Sequence, residues 1–283
     1  MASNLKTNLT ATPYPIESIT KMGQYEDFPL QVSRNQIMGH QTVAIFGYTN
    51  SIGDTTTPQT IWEGANNATQ NNYTYPPSAS VMTLVSSNAG DTGAVFVSGL
   101  DANFNLLSES IVLTGTTPVT TVNSYFRING LYYTAGANLG TIKIQIGSAG
   151  AVYGYINPGF GQSQMAVYTV PNGFTFYQTL LQANSTLANQ AVLFQTQQIY
   201  NLPAVLNLNG YSIPHNANTQ QAQISPFSTG FFDIPFTAPI PFPQGVDLQW
   251  QAKTNSGGIN GGASVFIGGY LIANDGQAIL NFI

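Results

Sequence analysis

Turn-forming residues interrupt this chain so often that no long helix fits between them. Clusters such as Asn88-Ala89-Gly90-Asp91, Gly115-Thr116-Thr117-Pro118 and Asn157-Pro158-Gly159 bound short stretches rich in Val, Ile, Thr, Tyr and Phe. Turn signals every ~8–12 residues with no helical period specify an all-β sandwich or barrel. Residues 95–128 show the pattern at its densest. Residues 95–97 stop at Gly99, residues 106–114 form a second strand, and residues 119–128 form a third. Three strands on turns of about five residues predict an antiparallel meander. Asn129-Gly130 follows, and both positions tolerate positive φ. The pair predicts a two-residue hairpin that returns residues 131–134 onto residues 122–128.

Two segments alternate cleanly. Ile142, Ile144 and Ile146 are interleaved with Thr141, Lys143 and Gln145; Val246, Leu248, Trp250 and Ala252 are interleaved with Asp247, Gln249 and Gln251. Each reads as a strand with one buried face and one polar face. Residues 165–170 and 174–181 flank Pro171-Asn172-Gly173 as the arms of a hairpin. Prolines 235, 239, 241 and 243 exclude residues 234–243 from any central strand. Residues 1–35 carry Pro13, Pro15 and Pro29 with no periodicity and read as an extended N-terminal arm. The expected fold is therefore all-β: two antiparallel β-sandwich or jelly-roll-like units, over residues 36–160 and 161–283, divided near residues 157–164. No fixed-period repeat points to a solenoid or propeller.

Charge is the compositional anomaly. Asp, Glu, Lys and Arg make up 6% of the chain, against about 25% in ordinary globular domains. None occurs between Lys143 and Asp233. Near-neutral surfaces associate readily, so much of this surface is expected to be buried against copies of the chain or partners. A net charge of −5 with six cations excludes nucleic acid as a partner, because that contact needs clustered Lys and Arg. No apolar run approaches the roughly 18 residues of a membrane span. The N-terminal residues lack the apolar core of a signal peptide. With no cysteine, disulfides and thiolate metal sites are excluded. Synthesis in the cytosol is expected, followed by incorporation into a particle.

A search for reactive constellations finds none that the spacing supports. His40 and His215 have no metal-ligand spacing. Gly161-Gln162-Ser163-Gln164-Met165 lacks the closing glycine of a nucleophile elbow. Gly257-Gly258 and Gly261-Gly262 sit between strands, not before a helix, and do not form a phosphate loop. Asp91, Asp101 and Glu109 lie in one region, Asp233 and Asp247 in another, and turn capping accounts for Asp91 and Asp101. Calcium at residues 91–101 lacks an ordered ladder of carboxylates. The sequons at Asn8, Asn67, Asn72 and Asn184 follow from composition. No catalytic, cofactor-binding or metal-binding residue is expected. Trp62, Tyr73, Tyr75, Tyr132 and Tyr133 are the aromatic residues that could stack on a sugar ring; packing is the competing role for Tyr73 and Tyr75.

The order of short motifs carries a resemblance. Residues 28–39 (FPLQVSRNQIMG), 45–48 (IFGY), 60–63 (TIWE), 99–103 (GLDAN), 109–115 (ESIVLTG), 119–127 (VTTVNSYFR), 138–142 (NLGTI) and 162–173 (QSQMAVYTVPNG) occur in that sequence. Over roughly residues 28–180 the chain resembles virion structural proteins of tailed phages, cyanophages among them. The resemblance implies a particle component without enzymatic activity and transfers no catalytic residue. Three roles stand open, the last permitted by chain length and not favoured by the resemblance. The leading one is a protein that decorates or cements a capsid, its partners being its own copies and a major capsid protein. The others are a tail or knob module binding host surface polysaccharide, and a jelly-roll major capsid protein.

Overall fold

The structure is a computed structural model. It describes residues 27–52, 57–64, 72–148, 150–186, 192–201, 207–208, 211–212, 219–227, 230–254 and 261–274. Helix α1 (Phe28–Ser33) leads into β1 (His40–Ile52) and the two-residue β2 (Gln59–Thr60). Then come β3 (Ser80–Ser86), β4 (Ala94–Leu100), β5 (Leu106–Val112), β6 (Val119–Tyr125), β7 (Arg127–Tyr133), β8 (Ile142–Gln145) and β9 (Val152–Ile156). The chain continues through β10 (Val167–Thr169), β11 (Phe174–Ser185), β12 (Val192–Tyr200), β13 (Asn207–Leu208) and β14 (Tyr211–Ser212). It ends in β15 (Thr219–Phe227), β16 (Gly230–Phe242), β17 (Val246–Thr254) and β18 (Gly261–Ala273). The expected all-β, antiparallel sandwich architecture is what the chain adopts.

The larger sandwich is a jelly roll. One sheet has the order β1-β18-β11-β16 and the other β10-β17-β12-β15, with β2 added beside β17. Numbered by their own succession, these eight strands run 1-8-3-6 in one sheet and 2-7-4-5 in the other. First thus pairs with last, second with seventh, third with sixth and fourth with fifth, the nesting of a jelly roll. Its core joins both sheets through Ile45, Phe176, Leu181, Phe242, Leu248, Trp250 and Ile267. The smaller sandwich packs β6-β3-β8-β9 against β5-β4-β7, around Met82, Leu84, Val95, Val97, Tyr125, Ile128, Ile142 and Ile144. Strands β3 to β9 thus stand between the first and second jelly-roll strands.

Several local expectations are overturned, each by long-range pairing. β1 was expected in the sandwich of residues 36–160, but it pairs along its length with β18, as His40↔Ile272 through Thr49↔Ala263. The meander does not form. β4 and β5 pair as expected, whereas β6 crosses to the opposite sheet and pairs with β3, and β7 returns beside β4. Splitting the three strands between layers lets Val95, Val97, Leu113 and Tyr125 close one core; a single three-stranded ribbon would leave that face in water. Asn129-Gly130 is not a turn. It lies inside β7 at a bulge, where Ser98 faces Gly130, Gly99 faces Ile128, and Asn129 has no partner on β4. The freed Asn129 amide instead accepts from Thr169 N and donates to Thr169 O, at 2.9 and 3.0 Å. Gly99 is required here, because a Cβ would stand 2.1 Å from the Arg127 carbonyl oxygen.

Pro171-Asn172-Gly173 does turn the chain, with Gly173 at φ +81°, but β10 and β11 belong to different sheets and no hairpin results. The proline-rich stretch is a strand after all. β16 carries Pro235, Pro239 and Pro241, and it stands at the sheet edge with β11 on one side only, where a missing N–H costs least. Within the expected arm, residues 28–33 are helical. Val32 is buried, and Phe28 sets its ring edge-on to His40 and Tyr270. Residues 1–26 of that arm, His215, Asn8, Asn67 and residues 257–258 lie outside the described residues.

Candidate functional site

The two sandwiches meet along β17. Val246, Leu248, Trp250 and Ala252 belong to the jelly-roll core. Their alternates were expected on a solvent face, but Asp247, Gln249 and Gln251 are only 1–5% exposed. Strand alternation places them opposite the core, and that face is covered by Thr60, Tyr73 and the smaller sandwich.

Buried polar groups need partners, and these have them. Gln195 Nε2 donates to Gln251 Oε1 at 2.8 Å. Gln251 Nε2 donates to Gln197 Oε1 at 2.8 Å and Gln249 Oε1 at 3.2 Å. Gln249 Oε1 also accepts from Thr60 Oγ1 at 2.8 Å, and its Nε2 donates to the Tyr73 carbonyl at 3.2 Å. The uncharged composition thus yields a cross-strand amide ladder where a more ordinary chain would place apolar residues.

At the end of the ladder lies an ion pair between sandwiches. Arg127 Nε and Nη2 donate to Asp247 Oδ1 and Oδ2 at 2.9 and 3.0 Å, with the side chains 4% and 1% exposed. Thr169 Oγ1 adds a bond to Oδ1 at 2.6 Å, and Asn201 Nδ2 adds one to Oδ2 at 2.7 Å. The Arg127 carbon centre stands 3.9 Å from the Phe126 ring centroid and 4.7 Å from that of Tyr75, a close cation–π arrangement. Nη1 donates to the Phe126 carbonyl at 2.8 Å. Tyr73 completes the seam, donating to the Tyr153 carbonyl at 3.0 Å. Burial pushes the Tyr73 and Tyr75 phenols up, so both stay neutral.

A second part of the junction opens to solvent. A cleft of about 360 Å³ lies between β1 on one side and β4 and β7 on the other, closed by residues 162–165. Three rings line it: Phe46, Phe96 and Tyr132, which are 41%, 36% and 53% exposed. Phe96 and Tyr132 are direct cross-strand partners on the outer face of β4 and β7. Phe46 faces Phe266 across β1 and β18, with ring centroids 4.9 Å apart. Ser98, Gln162 and Ser163 supply polar groups to the same walls, and no charged residue lines them.

Of the five aromatic residues considered for stacking, Tyr132 reaches this cleft. Trp62 and Tyr73 are buried edge-to-face, Tyr75 is half-buried beside Arg127, and Tyr133 is buried with its hydroxyl accepting from Gly93 N. The carboxylates do not converge. Asp101 accepts from Asn103 N and Asn105 N in its own turn, and Glu109 accepts from Val122 N and Asn123 N. Asp233 is exposed on edge strand β16, in the sheet opposite Asp247. Ser163 Oγ accepts from Leu131 N at 2.9 Å, and His40 Nδ1 lies 3.0 Å from the Met38 carbonyl. Among the described residues no three His, Asp or Glu side chains cluster as metal ligands. Two features escaped sequence reasoning. Phe46 and Phe96 look like ordinary strand residues. Arg127 and Asp247 left one trace: each is a charge flanked on both sides by apolar residues.

Asp91 has a structural role wider than a turn cap. It is buried, and burial opposes its ionisation. Donors from Ser86 Oγ (2.5 Å), Leu139 N (2.7 Å) and Gly140 N (2.9 Å) outweigh that and hold the carboxyl below the usual range. A carboxyl depressed by folding contributes stability above its unfolded pKa of about 3.9, and loses it as pH falls through the folded value. Asp91→Asn is expected to cost about 1–3 kcal/mol at pH 7. In thermal melts the gap from the parent protein narrows below about pH 4. A gap that stays constant down to pH 2 contradicts this role.

No family model matches this chain, and no curated protein does. Solved structures of infectious bursal disease virus align over 84% of it at low similarity. They include the Gt strain (12% identity, 72% of that chain covered, TM-score 0.24) and the Gx strain (12%, 73%, 0.23). The T13 viral particle of the same virus aligns at 11% identity over 71% of that chain, with a TM-score of 0.20. Scores this low establish no common fold.

Proposed function

We propose that this protein is a non-enzymatic structural component of a virus particle, made in the host cytoplasm. In this reading it decorates or cements the shell through contacts with its own copies and with a major capsid protein. The observation that carries the proposal is the surface. Among the described residues Asp27, Arg34 and Asp233 are the charged side chains classed as exposed. Met38, Val112, Val122, Leu139 and Phe231 meanwhile expose 63–87% of their area. A surface so neutral and so dotted with large apolar groups favours association over dispersal. Contacts of this kind are weak singly and strong when repeated across many copies. The motif resemblance to tailed-phage virion proteins supports the same reading.

The purified chain is expected to self-associate reversibly in sedimentation velocity. Val122→Lys, at a fully solvent-facing position that tolerates substitution, is expected to shift it toward monomer. A parent chain that stays monomeric at every accessible concentration overturns the proposal. The nested jelly-roll strand order favours a second reading, a major capsid subunit, since that architecture recurs in capsid shells; the fold alone does not assign the role. Electron microscopy of the protein expressed alone separates the two. Closed shells support the capsid subunit, and absence of shells combined with binding to preformed capsids supports the cement.

A further inference from the structure

We infer that the cleft between β1 and strands β4 and β7 is a binding site for a neutral saccharide. The inference does not rest on the assembly reading. Its first support is the set of rings. Phe46, Phe96 and Tyr132 stay between one-third and just over one-half exposed although each stands in regular strand. Rings held half out of water by rigid strands, facing one cavity, offer flat apolar platforms of the kind that pack against the C–H faces of a pyranose. Tyr132 adds a hydroxyl at the rim, so one residue presents both characters a sugar needs.

The second support is the polar complement. The Ser98 and Gln162 side chains line the cleft and make no side-chain hydrogen bond among the described residues. The Ser163 hydroxyl accepts from Leu131 N, which leaves its own proton to donate. By contrast the Asn129 amide, also in the wall, is consumed by Thr169 on both atoms. The open set is therefore hydroxyl, hydroxyl, hydroxyl and primary amide, which matches vicinal sugar hydroxyls as donors and acceptors.

The third support is the charge and size of the cavity. No charged residue lines it, which disfavours uronic, sialic or phosphorylated sugars, and about 360 Å³ lies at the small end of the range for ligand pockets. A protein partner needs about 800 Å² of surface on this side, far more than three rings and a few polar groups present. The walls come from both sandwiches and are clamped by the Arg127–Asp247 pair, so the site is pre-formed.

The test uses the full chain and saturation-transfer NMR. The probes are neutral glucan, galactan, mannan and rhamnan fragments of two to six units, with alginate fragments as the charged comparison. At least one neutral series is expected to receive saturation from aromatic protons, and alginate is not. Tyr132→Ala and Phe96→Ala should each weaken binding about tenfold, the equivalent of about 1.4 kcal/mol. Gln162→Ala should weaken it less, and Phe231→Ala, on the β16 edge, should leave it unchanged. Circular dichroism verifies that each variant folds. If no neutral fragment binds, or if binding survives Tyr132→Ala intact, the site is refuted. It is equally refuted if Tyr132→Ala abolishes self-association in place of sugar binding, because the cleft is then a contact between copies. A monomeric chain that binds sugar defeats the assembly reading and leaves this one standing.

Discussion

Replacing Asp247 with alanine should be among the most damaging single changes to this protein. The substitution leaves the Arg127 guanidinium buried without its counter-ion and removes the acceptor for Thr169 Oγ1 and Asn201 Nδ2. Breaking a buried pair from one side costs about 3–5 kcal/mol. At roughly 2–4 °C per kcal/mol for a chain of this size, the unfolding midpoint should fall by about 6–20 °C. Arg127→Ala should cost a similar amount, since it also strips the cation from Phe126 and Tyr75. The double variant should lose clearly less than the sum, because the second change removes a charge the first had stranded. Because the pair joins β7 to β17, the single variants should also open the junction. Limited proteolysis then cuts the segments that lead into and out of the smaller sandwich before either sandwich is degraded. Additive losses, or an unchanged midpoint, would show that the pair is dispensable.

The second large effect lies in the jelly-roll core. Phe176 on β11 is fully buried, stacked 6.0 Å from Phe242 in its own sheet and 5.4 Å from Tyr168 in the opposite one. It therefore links both layers. β18 makes room for the ring with Gly269, where a Cβ would stand 2.6 Å from Phe176 Cε2 and 2.3 Å from the Tyr177 carbonyl oxygen. Phe176→Ala is expected to cost about 3–5 kcal/mol through lost burial and the cavity left behind. Phe176→Leu, which keeps most of the volume, should cost well under half of that. Calorimetry of both variants measures the difference. Equal loss from both would mean that stacking geometry, and not filled volume, governs this part of the core.

These two sites differ in how far the sequence announces them. Phe176 lies in a predicted strand, residues 174–181, whose side chains do not alternate cleanly, so its strand type is legible and its burial is not. Clean alternation placed Val246, Leu248, Trp250 and Ala252 correctly, and set Asp247, Gln249 and Gln251 on the opposite, polar face. A two-residue period separates the faces of a strand but does not say what covers the second face. Only the packing of Thr60, Tyr73 and the smaller sandwich against β17 makes that face an interior. The same limit explains Asn129-Gly130. Its local preference for a turn is real, but the pairing of β4 with β7 uses the extra residue as a bulge that reaches β10.

From the sequence alone came the all-β class, the strand punctuation, the exclusion of the proline-rich stretch of β16 from any central strand, and the shortage of surface charge. Those are local or compositional properties, settled by turn chemistry, period and residue type. Tertiary structure decided that β1 closes a jelly roll with β18, that strands β3 to β9 form a sandwich within it, and that Arg127 meets Asp247. It also brought Phe46 to the same cleft as Phe96 and Tyr132. Each of these joins residues far apart in the chain, and no local preference encodes which distant strand a given edge will find.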